Sequence, residues 1–259
     1  MMLISILISN YNKNKYLQKC IESCLNQSYS NIEIFFGDNE STDDSLSTAK
    51  KYGLTNIFTI KRKYESSALN QIHVINELFN KSKGDLIFLL DSDDYFEKDK
   101  IRKITEIFIK DNSKNVICDI PKIINLNGSF NKFNYKTNID FKKRWPTIFP
   151  TSCITLRRKS LNDFFNFSFH EEYPDLEIDF RLATYFYNIK KELFIEKQVL
   201  TNYLQVENSI SSKYKKYTFR WWRKRHQAFN FLKKILDFHN ITHSKSIDYI
   251  VTSMLNEYI

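Results

Sequence analysis

Four short apolar runs, with helical periodicity between them, fill about the first 110 residues and set the class of fold. Residues 3–8 are almost continuously apolar over a strand's length, and Leu17, Ile21, Cys24 and Leu25 follow at the spacing of one helix face. Residues 32–36 and 56–60 read as the second and third strands, and Ser41-Thr42-Asp43-Asp44 supplies N-cap chemistry for a helix between them. A helix over 66–81 carries Leu69, Ile72, His73, Ile75 and Leu78 at helical spacing, and Gly84 then breaks to a fourth strand over 86–90. Apolar runs without alternation belong to strands buried on both faces, so β–α units of this kind predict a parallel sheet covered by helices on each side.

The pattern changes after Lys110. Residues 116–124 and 130–135 read as antiparallel strands around an Asn127-Gly128 turn. Helices are expected over 176–187, 214–238 and 244–257, the last with Ile247, Ile250, Val251, Met254 and Leu255 on one stripe. The expected architecture is α/β: a mostly parallel half over 1–112, a mixed half over 113–212 and a helical extension over 213–259.

The segment Leu86-Ile87-Phe88-Leu89-Leu90-Asp91-Ser92-Asp93-Asp94 carries the most chemistry. Five apolar residues make a buried strand, and three carboxylates follow its C-terminal end, where the ligand crevice of an open α/β sheet lies. Carboxylates this dense repel one another and lose solvation, so a cation among them is their natural complement. Oxygen ligands select Mg²⁺ or Mn²⁺, which bind through one or two carboxylates plus substrate phosphates. The structural alternative is an Asp-rich turn in which Asp93 or Asp94 caps a helix. The first strand ends in Ser9-Asn10-Tyr11-Asn12 and the second in Gly37-Asp38-Asn39-Glu40-Ser41-Thr42-Asp43, so three parallel strands deliver polar clusters to one sheet edge.

Together with Leu17, Ile21, Ser23, the run Leu25-Asn26-Gln27-Ser28-Tyr29, Glu33-Ile34, Ala68-Leu69-Asn70 and Gly84-Asp85, these residues resemble the family 2 glycosyltransferases through most of positions 3–210. The resemblance implies the GT-A fold, a nucleotide-diphosphate sugar donor, inversion at the anomeric carbon and Mn²⁺ or Mg²⁺ at the Asp-x-Asp motif. It places Tyr11 on the nucleobase and Asp38 and Asn39 along the base and ribose. Asp91 would contact the ribose or the metal shell, and Asp93 would hold the metal, with Ser9, Arg62 and Ser92 completing the donor site. A metal suits this chemistry because a departing diphosphate gains negative charge that a cation neutralises without a proton. Two positions depart from the family pattern: Asn39 stands where a second Asp is usual, and Glu40 where a small residue or Gly is usual. The Asn39 amide can accept from uracil N3–H or donate to cytosine N3, so a UDP-sugar rests on the family pattern.

An inverting transfer also needs a base on the acceptor hydroxyl. The run Pro174-Asp175-Leu176-Glu177-Ile178-Asp179-Phe180-Arg181-Leu182-Ala183 resembles the family's base segment and places Asp175 in that role, with Pro174 where Glu is usual. Glu177 and Asp179 compete, and Asp175 also fits a helix N-cap. His170 is a weaker candidate. The stretch Pro150-Thr151-Ser152-Cys153-Ile154-Thr155-Leu156-Arg157-Arg158 resembles the acceptor cleft, and Asn208-Ser209-Ile210-Ser211 a loop over the diphosphate.

Charge adds one further feature. The 259-residue chain has 39 Lys and Arg against 30 Asp and Glu, a net +9, and nine of the basic residues lie between Lys213 and Lys234 with no acid among them. The remainder is formally balanced. A helix over 214–238 would carry Phe219, Trp222, Phe229, Leu232 and Leu236 on one side, with Arg220, Arg223, Lys224, Lys233 and Lys234 elsewhere. Such a basic amphipathic helix either packs on the domain or docks on an anionic membrane through 213–238. Nucleic acid is not an expected partner, because no recognised module accompanies the patch. The expected partners are a nucleotide-sugar donor and a glycan or lipid-linked acceptor of bacterial capsule, lipooligosaccharide or other surface polysaccharide.

Rival classes fit less well. A nucleotidyltransferase would want a Gly-rich basic loop after its first strand, and Ser9-Asn10-Tyr11-Asn12-Lys13 has no glycine. A non-catalytic binding module has no need of Asp91, Asp93 and Asp175 together. Arg220-Trp221 echoes processive synthases, but Tyr217 stands where their Gln would be. Cys20, Cys24, Cys118 and Cys153 lack metal or redox spacing and read as buried thiols of a reducing cytoplasm. Residues 2–8 lack the basic flank and cleavage site of a leader, and no run approaches the ~18 apolar residues of a spanning helix. A cytoplasmic enzyme is expected, peripheral at the inner membrane face if its basic helix docks there.

Overall fold

The computed structural model describes residues 1–135, 145–166, 171–206, 209–210, 213–243 and 246–257. Its centre is a mixed sheet. Strands β1 (Ile4–Asn10), β2 (Ile32–Asp38), β3 (Asn56–Thr59) and β4 (Leu86–Asp91) run parallel in the order β3-β2-β1-β4. The chain winds outward from β1 to β3 and returns to β1's other side with β4, which creates a topological switch point between β1 and β4.

Alternate residues of these strands enter separate cores, as the period of two requires. Ile4, Ile6, Ile8, Leu86, Phe88 and Leu90 pack with helices α1 (Asn14–Leu25), α2 (Ser45–Lys51) and α4 (Lys100–Lys110). Leu7, Ile87 and Leu89 face the other way, toward α3 (Ser67–Lys81). Ser66 caps α3 by accepting from Leu69 N–H. Gly37 keeps α3 close to β2: a Cβ there would lie 2.6 Å from Val74 Cγ1.

Beyond β4 the sheet turns mixed. The short strands β5 (Tyr95–Phe96) and β7 (Phe130–Asn131) are joined by β6 (Val116–Asn125), β8 (Ile154–Arg157) and β9 (Leu193–Gln205), giving β4-β8-β6-β9-β5 with β7 paired to β6. Gly128, at φ +79°, closes the expected β6–β7 turn. The β6–β9 register shifts on both sides of Ile120, just before Pro121, the residue that lacks a ladder donor.

Helix α5 (Arg158–Phe165) follows β8, and α6 (Ile178–Tyr185) runs into a π-helical turn at Phe186–Lys190. The basic segment forms α7 (Phe219–Phe238), which starts five residues later than expected because Tyr217 is left-handed at φ +66° and Thr218 caps the helix. Ala228, Phe231, Leu232, Ile235 and Leu236 of α7 are buried in the same core as Tyr173, Leu176 and Ile178. The helix is therefore part of the domain's core, and residue 212 marks no break in packing. Helix α8 (Ile247–Glu257) lies against α7, with Ile247, Ile250, Val251 and Met254 exposed. No described helix is long and apolar enough to cross a membrane.

Candidate active site

The β1–β2 and β1–β4 pairings bring the polar strand ends into one row. Ser9 is in register with Gly37 on one side and Asp91 on the other, and Asn10 with Asp38. Ser9 Oγ donates to Asp91 Oδ1 at 3.0 Å, and Asn10 Nδ2 donates to Asp38 Oδ1 at 2.7 Å. The loops after β1 and β2 are then tied together, with Asn12 N–H donating to Ser41 Oγ and Thr42 N–H to Asn12 Oδ1. Asn12 and Glu40 both adopt left-handed φ, at 51° and 57°. Such strain in two non-glycine residues concentrates where the sheet edge is shaped for a ligand. The backbone at Glu40 thus takes a glycine-favoured conformation, and its Oε2 accepts from Arg62 N–H at 2.8 Å.

Behind this row lies a cavity of about 550 Å³, within the usual size for a small-molecule site. Of the residues expected at a donor site, Ser9, Tyr11, Asn39, Arg62, Asp91, Ser92 and Asp93 line it, while Asp38 is fully buried beneath, where its Oδ2 accepts from Ser41 N–H. Arg62 stacks over the half-exposed Tyr11 ring, 4.1 Å from its centroid, and donates to Asn39 Oδ1 at 3.2 Å. Asn39 Nδ2 donates to the Ile60 carbonyl. The Asn39 amide therefore turns its acceptor oxygen toward Arg62 and the cavity.

The three carboxylates after β4 separate into different roles. Asp94 is buried and structural: Ser152 Oγ donates to it at 2.6 Å and Leu204 N–H at 2.9 Å. Burial and neighbouring Asp93 push its carboxyl well above the usual range. Asp91 also accepts from Gln71 Nε2 at 2.7 Å, and burial, then Asp93, push it up to about 6 against those hydrogen bonds. Asp93 faces the cavity and pairs with Lys13 Nζ at 2.8 Å. A fully buried pair, Lys100 to Asp119 at 2.7 Å, supports this turn from below, since Lys100 also donates to the Ser152 carbonyl and to Thr201 Oγ1.

Among the described residues, no three His, Cys, Asp or Glu side chains form a ready metal cluster. The residues present nevertheless suit a divalent ion that draws most of its ligands from a bound diphosphate. Asp93 already holds a cation, the Lys13 ammonium, and Asp91 is raised by burial and then by the neighbouring Asp93 charge, both of which a bound cation would offset.

The structure redistributes the base candidates. Asp175 does not line the cavity; it is 8% exposed and locked onto α7. Arg223 donates to both of its oxygens, at 2.7 and 3.0 Å, Gln227 Nε2 at 2.8 Å and Tyr214 OH at 2.9 Å. Glu177 and Asp179 do line the cavity. Lys224 pairs with Glu177, whereas burial and then the Glu177 charge push Asp179 up to about 7. His170 lies outside the described residues. Of the presumed acceptor stretch, Pro150 and Thr151 reach the cavity, while Arg157 and Arg158 turn to the backbone carbonyls of Lys114 and Gly84. Ser209 and Ile210 line the cavity from the presumed diphosphate loop; Asn208 and Ser211 lie outside the described residues.

Four contributors were missed in the sequence: Lys13, Gln71, Ser152 as a support of the acidic turn, and Lys213, which reaches Ser67 Oγ at 2.9 Å across the cavity. Lys13 and Gln71 each sit one residue beyond a motif already noted. The other two are brought in by tertiary contacts without a local pattern. All four cysteines are free and buried.

This fold and site define a class. The chain belongs to glycosyl transferase family 2, whose pattern matches residues 5–165. Among curated relatives, it is 28% identical over 142 residues to the dolichyl N-acetyl-alpha-D-glucosaminyl phosphate 3-beta-D-2,3-diacetamido-2,3-dideoxy-beta-D-glucuronosyltransferase of Methanococcus voltae, a match covering 54% of this chain and 43% of that one. Among solved structures, it is similar to S. aureus TarS 1-349 in complex with UDP, at 17% identity and TM-score 0.60, covering 98% of this chain and 70% of that one. It is also similar to the mannosyltransferase PcManGT from Pyrobaculum calidifontis in complex with GDP-Man and Mn²⁺, at 12% identity and TM-score 0.62, covering 98% and 69%. These likenesses establish the GT-A fold expected from the sequence.

Proposed function

We propose that this chain transfers a sugar, with inversion, from a UDP-sugar to a hydroxyl of a glycan or lipid-linked acceptor in surface polysaccharide synthesis. The observation that carries the reading is the convergence of the β1, β2 and β4 ends with Asp179 around one cavity. Tyr11 and Arg62 offer a stacking face for the base, and the outward Asn39 oxygen suits the uracil N3–H donor better than the donor-free cytosine N3. The UDP, UDP-GlcNAc and GDP-Man bound by the structural neighbours support a nucleotide-sugar site of this kind.

A divalent ion, Mn²⁺ or Mg²⁺, held by Asp93 with Asp91 beside it, would neutralise charge on the departing diphosphate. Asp179 takes the acceptor hydroxyl proton. The acceptor oxygen then bonds to the anomeric carbon as the carbon–phosphate oxygen bond breaks, and the nucleoside diphosphate leaves with the electron pair. A carboxylate near pH 7 is well matched to this work, because it is both deprotonated at operating pH and basic enough to accept. Lys13 and Lys213 place two ammonium groups at the cavity wall, suited to the leaving phosphates.

The test is Asp179→Asn, assayed for glycosyl transfer and for UDP affinity. The expected result is a loss of about 10²–10⁴-fold in kcat with UDP binding retained. In the unsubstituted enzyme kcat/KM should rise with pH up to about 7, as Asp179 loses its proton. Full transfer by the Asn variant would remove Asp179 from the role.

A further inference from the structure

The nine basic residues of 213–234, uniform in the sequence, are sorted by the structure into three groups. Five are neutralised within the fold: Arg223 by Asp175, Lys224 by Glu177, Arg225 by Asp248, Lys233 by Asp237 and Lys234 by Glu172. Lys213 turns into the active-site cavity. Lys215, Lys216 and Arg220 remain, all exposed, and no carboxylate among the described residues lies within 4.0 Å of their charged nitrogens.

These three flank two exposed aromatic residues in the sequence. Tyr217 is 76% exposed and Phe219 is 47% exposed. The Tyr217 ring lies tilted beside Trp221 and Trp222, with ring centroids 5.5 and 6.5 Å away. Its left-handed backbone, φ +66°, is a conformation a bulky aromatic residue adopts at a cost. Exposed aromatic rings interspersed with uncompensated cations have the composition of an interfacial anchor: rings at headgroup depth, ammonium and guanidinium groups on the phosphates.

We infer that residues 215–220 dock on an anionic lipid surface. Only Tyr214 separates Lys215 from the cavity-lining Lys213, so docking brings the mouth of the cavity to the plane of the headgroups, where a lipid-linked acceptor would present its hydroxyl. The docking is independent of the transfer chemistry, and the benefit to a lipid-linked acceptor rests on the function proposed above. Charge complementarity selects an anionic surface such as lipid headgroups, and the exposed rings favour a membrane over a duplex, whose bases are already stacked; a single strand, whose bases can stack on the rings, is the competitor the test excludes.

The experiment is flotation of the full chain with vesicles of phosphatidylcholine alone or with phosphatidylglycerol. Binding is expected only with phosphatidylglycerol, weakening as salt shortens the Debye length from ~10 Å at 0.1 M to ~3 Å at 1 M. Each cation at the surface contributes about fivefold in partitioning, so K215E/K216E/R220E should reduce binding at least about a hundredfold. Y217S/F219S should weaken binding at low salt as well and abolish any blue shift of tryptophan emission. All five positions are exposed, so melting temperature and UDP affinity should stay unchanged in both variants. Absence of flotation with phosphatidylglycerol, binding that survives the triple charge reversal, or equal affinity of the segment for single-stranded DNA would each overturn the inference.

Discussion

Asp175→Asn separates a structural latch from a catalytic base. The carboxylate joins the loop before α6 to α7 by accepting three hydrogen bonds from that helix, two from Arg223 and one from Gln227, and a fourth from Tyr214 just before it. The amide keeps the size and one acceptor oxygen, but loses the charge and the second acceptor. Charge-assisted hydrogen bonds contribute about 1.5–3 kcal/mol each. The Arg223 side chain is 47% exposed, so water screens and partly replaces its contribution, and a total loss of about 2 kcal/mol is reasonable. For a domain of this size, that lowers the melting temperature by roughly 4–8 °C. Because Asp175 does not line the cavity, transfer measured well below the melting temperature should stay within about threefold of the unsubstituted rate. Thermal unfolding by circular dichroism, alongside initial rates of transfer, makes the comparison. A variant with an unchanged melting temperature and a rate reduced a hundredfold or more would refute the latch and restore Asp175 as the base.

Two further outcomes are expected. Lys13 competes with a metal ion for Asp93, so Lys13→Met should tighten Mn²⁺ binding in the absence of nucleotide by about fivefold, the equivalent of about 1 kcal/mol for a partly exposed pair. Electron paramagnetic resonance of free Mn²⁺ measures this directly, and unchanged or weaker binding would show that Lys13 orients Asp93 instead. Stability of the metal-free protein should fall as pH rises from 5 to 8. Asp91 at about 6 and Asp179 at about 7 bind protons more tightly folded than unfolded, where carboxyls titrate near 4, so their stabilising contribution is complete at low pH and lost through those values. Melting curves across this range should show the decline, and Asp179→Asn should flatten its upper part.

Much of the donor half could be read in the sequence because its signals are local. A strand buried on both faces must be apolar at consecutive positions, as residues 86–90 are, and a parallel sheet must place its strand ends together. The place of Ser9, Tyr11, Asn39 and Asp93 at the sheet edge is legible on those grounds, while the roles expected of them came from the resemblance to family 2. The acceptor half was less legible. Strand β8 has only four residues, and β9 carries Glu196, Lys197 and Gln198 in its middle, where shifts in the β6 pairing relax the need for alternation.

The sequence by itself determined that three strand ends would deliver acids and amides to one crevice, and that the basic surplus would lie in one segment. The resemblance to family 2 placed Asp175 in the base role, with Asp179 only a competitor. Four residues apart at a helix start, the two carboxylates share a local pattern; α7, joined to them only by the fold, engages one and leaves the other at the cavity wall. The same long-range contacts divided the basic segment. Charge is counted along the chain, but whether a cation is neutralised depends on which carboxylates the fold brings within reach, and Lys215, Lys216 and Arg220 have none within 4.0 Å among the described residues.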